Sequence, residues 1–115
     1  MVKRKSEYAV QENENMRGGE GVVVIEHLLT PEELYEKGRL YARIILKPGS
    51  SIGNHVHEGE MESFYIISGK AEISDNGDIV VLHAGDSILT RSGEGHSVKN
   101  AGDNALEMLA LILHK

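Results

Sequence analysis

Three side chains that can bind a metal ion lie within eight positions of one another: His55, His57 and Glu62. Because side chains alternate between the two faces of a β-strand, His55 and His57 would point the same way. Glu62 opens the next apolar segment, and a turn containing Gly59 separates the two. We therefore predict a hairpin that brings Glu62 back beside the histidines. Imidazole and carboxylate together suit manganese, iron, nickel, copper or zinc, so these ligands alone do not select the metal.

A competing interpretation is an exposed hairpin whose histidines are simply polar surface residues. A His-X-His pair is weak evidence for a metal site when it stands alone. The assignment of a metal site therefore depends on what the rest of the chain adds.

Composition excludes several classes of protein. The formal net charge of −6 leaves no basic surplus for contacts with nucleic-acid phosphates. Without cysteine the chain has no disulfide framework and no thiolate metal site. No segment approaches the roughly 20 apolar residues of a membrane span, and the basic N-terminus lacks the apolar region of a signal peptide. These features predict a soluble, cytoplasmic protein with neither a nucleic-acid nor a membrane partner.

Turn residues divide the 115-residue chain into many short apolar segments, which fits one domain. Segments rich in β-branched residues recur about every eight to twelve positions, a spacing typical of an all-β sandwich or barrel. Asn76-Gly77 predicts a tight hairpin, since both residues tolerate positive φ angles. Thr30-Pro31-Glu32-Glu33 predicts one short capped helical turn. We predict strands over 21–29, 39–47, 70–74, 79–82, 87–90, 96–100 and 105–114, in addition to the two segments around the histidines.

Residues 1–20 differ from the rest in being polar and charged. We predict a β-barrel domain over 21–115, preceded either by a flexible tail or by an arm that adds a strand to a neighbouring subunit. The tail is the slightly favoured alternative.

The stretch around His55 follows a longer pattern. Gly49 is followed by five residues, His55-X-His57, four residues, Glu62, six residues and Gly69. This order of residues resembles the first motif of the cupin superfamily.

A second stretch resembles the other motif of the same superfamily. Gly85 is followed by five residues, Arg91-X-Gly93, two residues, His96, three residues and Asn100. Arg91 stands where the family usually has proline. Two matched motifs, separated by fifteen residues, identify the chain as a member of the cupin superfamily.

The resemblance implies an all-β cupin fold, also described as a double-stranded β-helix or jelly-roll barrel. It also implies one divalent metal ion, manganese before iron, nickel or zinc, and a homodimer. The ligand set that the resemblance implies is His55, His57, Glu62 and His96.

The intact ligand set is most similar to the germin and oxalate decarboxylase branch, which implies a small carboxylate such as oxalate as substrate. Where that branch places arginine or asparagine, three residues before the first histidine, this chain has Ile52. We therefore consider Tyr41, Arg43, Phe64 and Arg91 as substrate-binding candidates, Phe64 because it shares a strand face with Glu62. No catalytic acid is identified.

Three functions are compatible with these motifs. The first is decarboxylation or oxidation of an oxalate-like acid. The second is a dioxygenase or isomerase reaction on the same fold. The third is a module that binds a metal with an anion or sugar without turnover.

Overall fold

The protein is a two-layer β-sandwich of the jelly-roll type, described here by a computed structural model that covers residues 1–115. Ten strands follow in chain order: β1 (Ala9–Glu14), β2 (Val22–Leu29), β3 (Gly38–Leu46), β4 (Ser51–Val56), β5 (Glu60–Ser68), β6 (Lys70–Asp75), β7 (Asp78–His83), β8 (Ser87–Thr90), β9 (Gly95–Asn100) and β10 (Leu106–His114). Helical structure is limited to two single 3₁₀ turns, Lys5–Glu7 and Met16–Gly18. The predicted all-β jelly-roll fold is confirmed.

The strands form two antiparallel sheets. The larger has the order β1-β2-β3-β10-β5-β8, and the smaller has the order β4-β9-β6-β7. No helix of the chain is long and apolar enough to cross a membrane.

Alternation along the strands builds the core between the sheets. In β10, Leu106, Met108, Ala110 and Ile112 point inward and are buried, while the intervening residues face outward. The smaller sheet contributes Ile52, Ile73 and Val98 to the same core. This apolar layer holds the sheets together and forms the floor beneath the candidate site.

The predicted hairpin between the histidine strand and the Glu62 strand is wrong. β4 pairs with β9 in the smaller sheet, whereas β5 pairs with β10 and β8 in the larger one. The residues between β4 and β5 therefore cross from one sheet to the other. Glu62 of β5 meets His55 and His57 across the sandwich, because the side chains of all three residues point into the space between the two sheets.

The predicted tight hairpin at Asn76-Gly77 agrees with the structure, whereas the predicted helical turn at Thr30 does not form: residues 31–36 are turns, and only the capping hydrogen bonds of that prediction are present. Asn76 and Gly77 both have positive φ, 50° and 92°, and connect β6 to β7. Thr30 and Glu33 form reciprocal hydrogen bonds: the Thr30 amide donates to the Glu33 carboxylate at 2.9 Å, and the Glu33 amide donates to Thr30 Oγ1 at 3.2 Å.

The polar N-terminal segment lies along the larger sheet. β1 pairs antiparallel with β2 of the same chain, with Ala9 opposite His27 and Glu14 opposite Val22. β1 is therefore an edge strand, and the 3₁₀ turn Met16–Gly18 leads from it towards β4. The division of the chain at residue 20 stays a prediction.

Candidate metal centre

Four side chains from three regions of the fold converge between the sheets. His55 is the second-last residue of β4, His57 directly follows that strand, Glu62 lies in β5 and His96 lies in β9. One potential ligand atom of each lies within 4.8 Å of the corresponding atoms of the others. We call these four residues the metal-ligand cluster.

The spacing inside the metal-ligand cluster can be compared with metal coordination. His96 Nε2 lies 3.1 Å from Nε2 of both His55 and His57, and Glu62 Oε1 lies 3.0 Å from Nε2 of both His57 and His96. Ligands held at about 2.1 Å from one ion are about 3.0 Å apart at right angles and about 3.4 Å apart in a tetrahedron. The four donor atoms could therefore hold one metal ion, and their spacing fits right-angled coordination better than tetrahedral coordination.

The second nitrogen of each imidazole is hydrogen-bonded away from the cluster centre. His55 Nδ1 bonds the Gly53 carbonyl oxygen at 2.8 Å, His57 Nδ1 bonds Glu60 Oε1 at 3.0 Å, and His96 Nδ1 bonds Thr90 Oγ1 at 2.9 Å. An Nδ1–H that donates to such a partner leaves Nε2 with a free lone pair. All three histidines are thus oriented to present Nε2 as a ligand.

Local electrostatics favour the protonation states that a metal requires at Glu62 and His55, but not at His57. Burial alone would raise the pKa of Glu62, but hydrogen bonds with His57 and His96 lower it below its usual value of 4.5. Burial lowers the pKa of His55, with a smaller opposing effect from its bond to Gly53. Hydrogen bonding to Glu62 raises the pKa of His57 despite burial. Glu62 is therefore ionised and His55 neutral near pH 7.

A small cavity of about 170 Å³ opens beside the metal-ligand cluster. His55, His57 and Glu62 line it together with apolar residues of both sheets, including Ile44, Ile52 and Ile112. Its volume is below the roughly 300–1,000 Å³ of pockets that hold drug-sized ligands. The space beside the cluster suits a ligand of few atoms.

Phe64 is the one substrate-binding candidate that lines this cavity. Its ring stacks on His96, with ring centroids 5.0 Å apart and planes 5° from parallel. Ile66, which shares its strand face, lies deeper in the core and is fully buried. Phe64 therefore supports the imidazole from behind as well as forming the apolar wall.

The other three candidates lie elsewhere. Tyr41 and Arg43 are opposite Leu111 and Leu109 on the outer face of the larger sheet. Arg43 pairs there with Glu107 at 2.7 Å and more loosely with Glu26 at 3.7 Å. Neither side chain contacts the cavity.

Arg91 is exposed at the turn between β8 and β9. Its amide donates to Glu94 Oε1 at 2.7 Å, which closes the turn. It does not line the cavity.

Sequence reasoning missed Arg39 and Glu60. Arg39 lines the cavity and forms a two-point ion pair with Glu60, at 2.7 Å and 2.8 Å, and Glu60 also bonds His57. The Arg39 guanidinium lowers the pKa of Glu60 to about 2. Glu60 could have been noted as an acid two residues before Glu62, at the start of β5, but its contact with Arg39 of β3 depends on the tertiary fold.

The N-terminal segment also lines the cavity, through Gln11, Asn13, Met16 and Arg17. His27 of β2 joins them and bonds Gln11 Oε1 at 3.0 Å. Neither His27 nor any of residues 1–20 was among the site residues predicted from the sequence.

The fold and the convergent cluster agree with the comparison of the chain with known families. Residues 42–112, more than half of the chain, match the family model described as the Cupin domain. The chain belongs to the cupin family.

Two similar proteins cover almost the whole chain. An oxalate-binding protein of Thermotoga maritima is 50% identical over 113 residues, which is 98% of this chain and 93% of that protein. A crystal structure described as a predicted oxalate decarboxylase from Thermotoga maritima has 49% identity and a TM-score of 0.95, with 100% of both chains covered.

A more distant solved structure shows how widely the fold extends. KdgF from Halomonas sp. has a TM-score of 0.75 with 14% identity, over 97% of this chain and 92% of that chain. At this identity the likeness concerns the fold alone.

Proposed function

We propose that this protein binds one divalent metal ion through the metal-ligand cluster and, beside it, a small carboxylate of the oxalate type. The observation that supports this proposal is the convergence of three Nε2 atoms and one carboxylate oxygen beside a 170 Å³ cavity, which His55, His57 and Glu62 line. The name of the similar Thermotoga maritima protein, oxalate-binding protein, points to the same ligand class.

Manganese is the metal we propose first, with iron, nickel and zinc as alternatives. Three neutral imidazoles and one carboxylate leave a divalent ion with a net charge of +1. When bound, such an ion acts as a Lewis acid that attracts and polarises a carboxylate oxygen. The apolar wall strengthens this attraction, since charges interact more strongly where water is excluded.

Binding without turnover is supported by the state of the nearby acids. Glu62 is the one carboxylate that lines the cavity, and it belongs to the metal-ligand cluster. Glu60 is held ionised by Arg39, with a pKa of about 2. Neither group can deliver a proton to a carbanion near pH 7, so we place binding ahead of proton-assisted decarboxylation.

Oxalate decarboxylation or oxidation is the second candidate. It rests on the similar structure described as a predicted oxalate decarboxylase. No observation of the site favours the dioxygenase or isomerase alternative; iron bound in the isolated protein would favour the former.

Calorimetry and product analysis separate these candidates. Metal-free protein reloaded with Mn²⁺ is titrated with oxalate, and the same sample is assayed for CO₂ and formate with and without O₂. Saturable binding without product supports the binding function, and product formation supports the enzyme. Absence of oxalate binding by the fully loaded protein would reject the proposed ligand class.

We also propose that the protein forms a homodimer through the outer face of the larger sheet. Tyr65 and Leu89 are 48% and 43% exposed there, and Leu109 and Leu111 of the central strand β10 face outward beside them. An outward face is normally polar, so an apolar one marks a contact surface. Arg43 is neutralised by its own neighbours, so the patch can meet a second copy of itself without repulsion.

A further inference from the structure

The cavity has polar lining residues besides the metal-ligand cluster. They come from the N-terminal segment and from the strands beside it: Gln11, Asn13, Arg17, His27 and Arg39. A metal-bound ligand that carries a second charged group would place that group near these side chains. The hydrogen bonds that these side chains already form show which of them is free to bind that group.

Four of the five already have polar partners. Gln11 accepts from His27 at 3.0 Å and donates to Asn13 Oδ1 at 2.9 Å. Arg39 is held by both oxygens of Glu60. Arg17 has no ion pair and no side-chain hydrogen bond in the structure, and it is therefore the one lining cation with all its donors available.

The backbone around Arg17 is fixed against the strand that carries His55. Arg17 has a left-handed conformation, with φ at 55°. A Cβ atom at Gly53 would collide with the Arg17 carbonyl oxygen, and one at Gly19 would collide with the Ser51 carbonyl oxygen. The two glycines therefore allow close backbone contact, which places Arg17 beside β4 in a defined position relative to the metal-ligand cluster.

We propose that Arg17 binds the carboxylate of the ligand that the metal does not bind, and so selects dicarboxylates over monocarboxylates. This inference rests on the proposed function, because it requires one carboxylate at the metal. A guanidinium presents paired N–H donors that match both oxygens of a carboxylate. Arg17 is exposed at the cavity mouth, so its side chain can close over a ligand after entry.

The proposal gives the N-terminal segment a role in recognition. β1 and the turn Met16–Gly18 form the part of the cavity wall that carries the free cation. The arginine thus comes from outside both histidine motifs.

Arg17→Gln, Arg17→Lys and Arg4→Gln proteins, each loaded with Mn²⁺, are titrated with oxalate and with acetate. Arg4 is an exposed arginine of the same N-terminal segment, and it does not line the cavity. Arg4→Gln therefore removes the same positive charge as Arg17→Gln, but away from the cavity. We expect Arg17→Gln to weaken oxalate binding about tenfold or more, with acetate and Mn²⁺ binding unchanged. Arg17→Lys should lie between this variant and the wild type, and Arg4→Gln should match the wild type.

Unchanged oxalate affinity in Arg17→Gln would overturn the inference while leaving the proposed function intact. Equal weakening for oxalate and acetate would also overturn it, because the effect would then not depend on a second carboxylate. A wild-type protein that binds Mn²⁺ but no oxalate would reject the proposed function together with this inference. Far-ultraviolet circular dichroism of each variant distinguishes lost binding from lost folding.

Discussion

Oγ1 of Thr90 lies 2.9 Å from Nδ1 of His96, and both residues are almost fully buried. The hydroxyl accepts the Nδ1–H bond and so holds Nε2 towards the other ligands. Replacing Thr90 with valine keeps the shape but removes this acceptor. We expect metal affinity to fall roughly 10- to 100-fold, the usual effect of losing such a partner, as measured by competition with a chelator dye.

Thr90→Ser is the matched control, because it keeps the hydroxyl and loses only a methyl group. It should retain metal affinity close to that of the wild type. A Thr90→Val protein that binds metal as tightly as Thr90→Ser would show that packing, including the stack of Phe64 on His96, is sufficient to orient the ring.

Glu60 performs the same orienting role for His57 from the opposite sheet. Glu60→Ala removes the acceptor of Nδ1 and also frees Arg39. We expect weaker metal binding by about tenfold or more, measured by the same competition assay. Glu58→Ala, at an exposed neighbouring position, should have no such effect. Equal losses in both variants would indicate a general charge effect instead.

The sequence predicted those features of the structure that depend on residues close together in the chain. Turn chemistry located most strand boundaries to within one or two residues, as at Asn76-Gly77. The motif spacing identified the four members of the metal-ligand cluster, which the fold brings together.

The predictions that failed were those that depend on which strands pair with each other. Alternation placed Tyr41 and Arg43 on one face correctly, but it could not tell the outer face from the inner one. A two-segment pattern around Gly59 suggested a hairpin, although β4 and β5 belong to different sheets. Contacts between residues far apart in the sequence, such as the ion pair of Arg39 with Glu60, leave no pattern in the nearby sequence from which they could be predicted.

Lys3 and Glu33 form an ion pair that fastens the start of the chain to the turn after β2, where Lys3 also donates to the Leu28 carbonyl at 3.1 Å. The bond with Lys3 is the main reason that the pKa of Glu33 lies below its usual 4.5. Because the unfolded chain takes up this proton first as pH falls, the pair stabilises the fold above about pH 4.5 and loses that effect at lower pH.

Chemical denaturation of the wild type and Glu33→Gln at pH 7 and pH 3 tests this assignment. The variant should be slightly less stable at pH 7, with the difference shrinking at pH 3. Glu32→Gln, at the adjacent exposed position, is the control. A stability difference that stays constant with pH would contradict the assignment.

If the apolar outer face of the larger sheet forms the proposed dimer interface, a charged substitution on that face should separate the two subunits. Leu111→Lys places a charge at its centre without changing the inward core, since Leu111 lies on the outward side of β10. We expect a dimer for the wild type and a monomer for this variant by light scattering after size-exclusion chromatography. Val81→Lys, on the exposed edge strand β7, should remain dimeric. A monomeric wild type, or a dimeric Leu111→Lys protein, would contradict this interface.

Metal removal should destabilise the protein, because an ion that binds the folded chain but not the unfolded one stabilises it by mass action. At a metal concentration 100 times the dissociation constant the gain is about 2.7 kcal/mol, which corresponds to a rise of roughly 10 °C in the melting temperature of a domain of this size. Thermal unfolding with excess Mn²⁺ and with excess EDTA measures the difference. Glu62→Gln should lose most of this difference, since the amide keeps the size of the side chain but not its charge at the point where His57 and His96 meet. If Glu62→Gln kept the full metal-dependent rise, the stabilising ion would lie elsewhere in the protein.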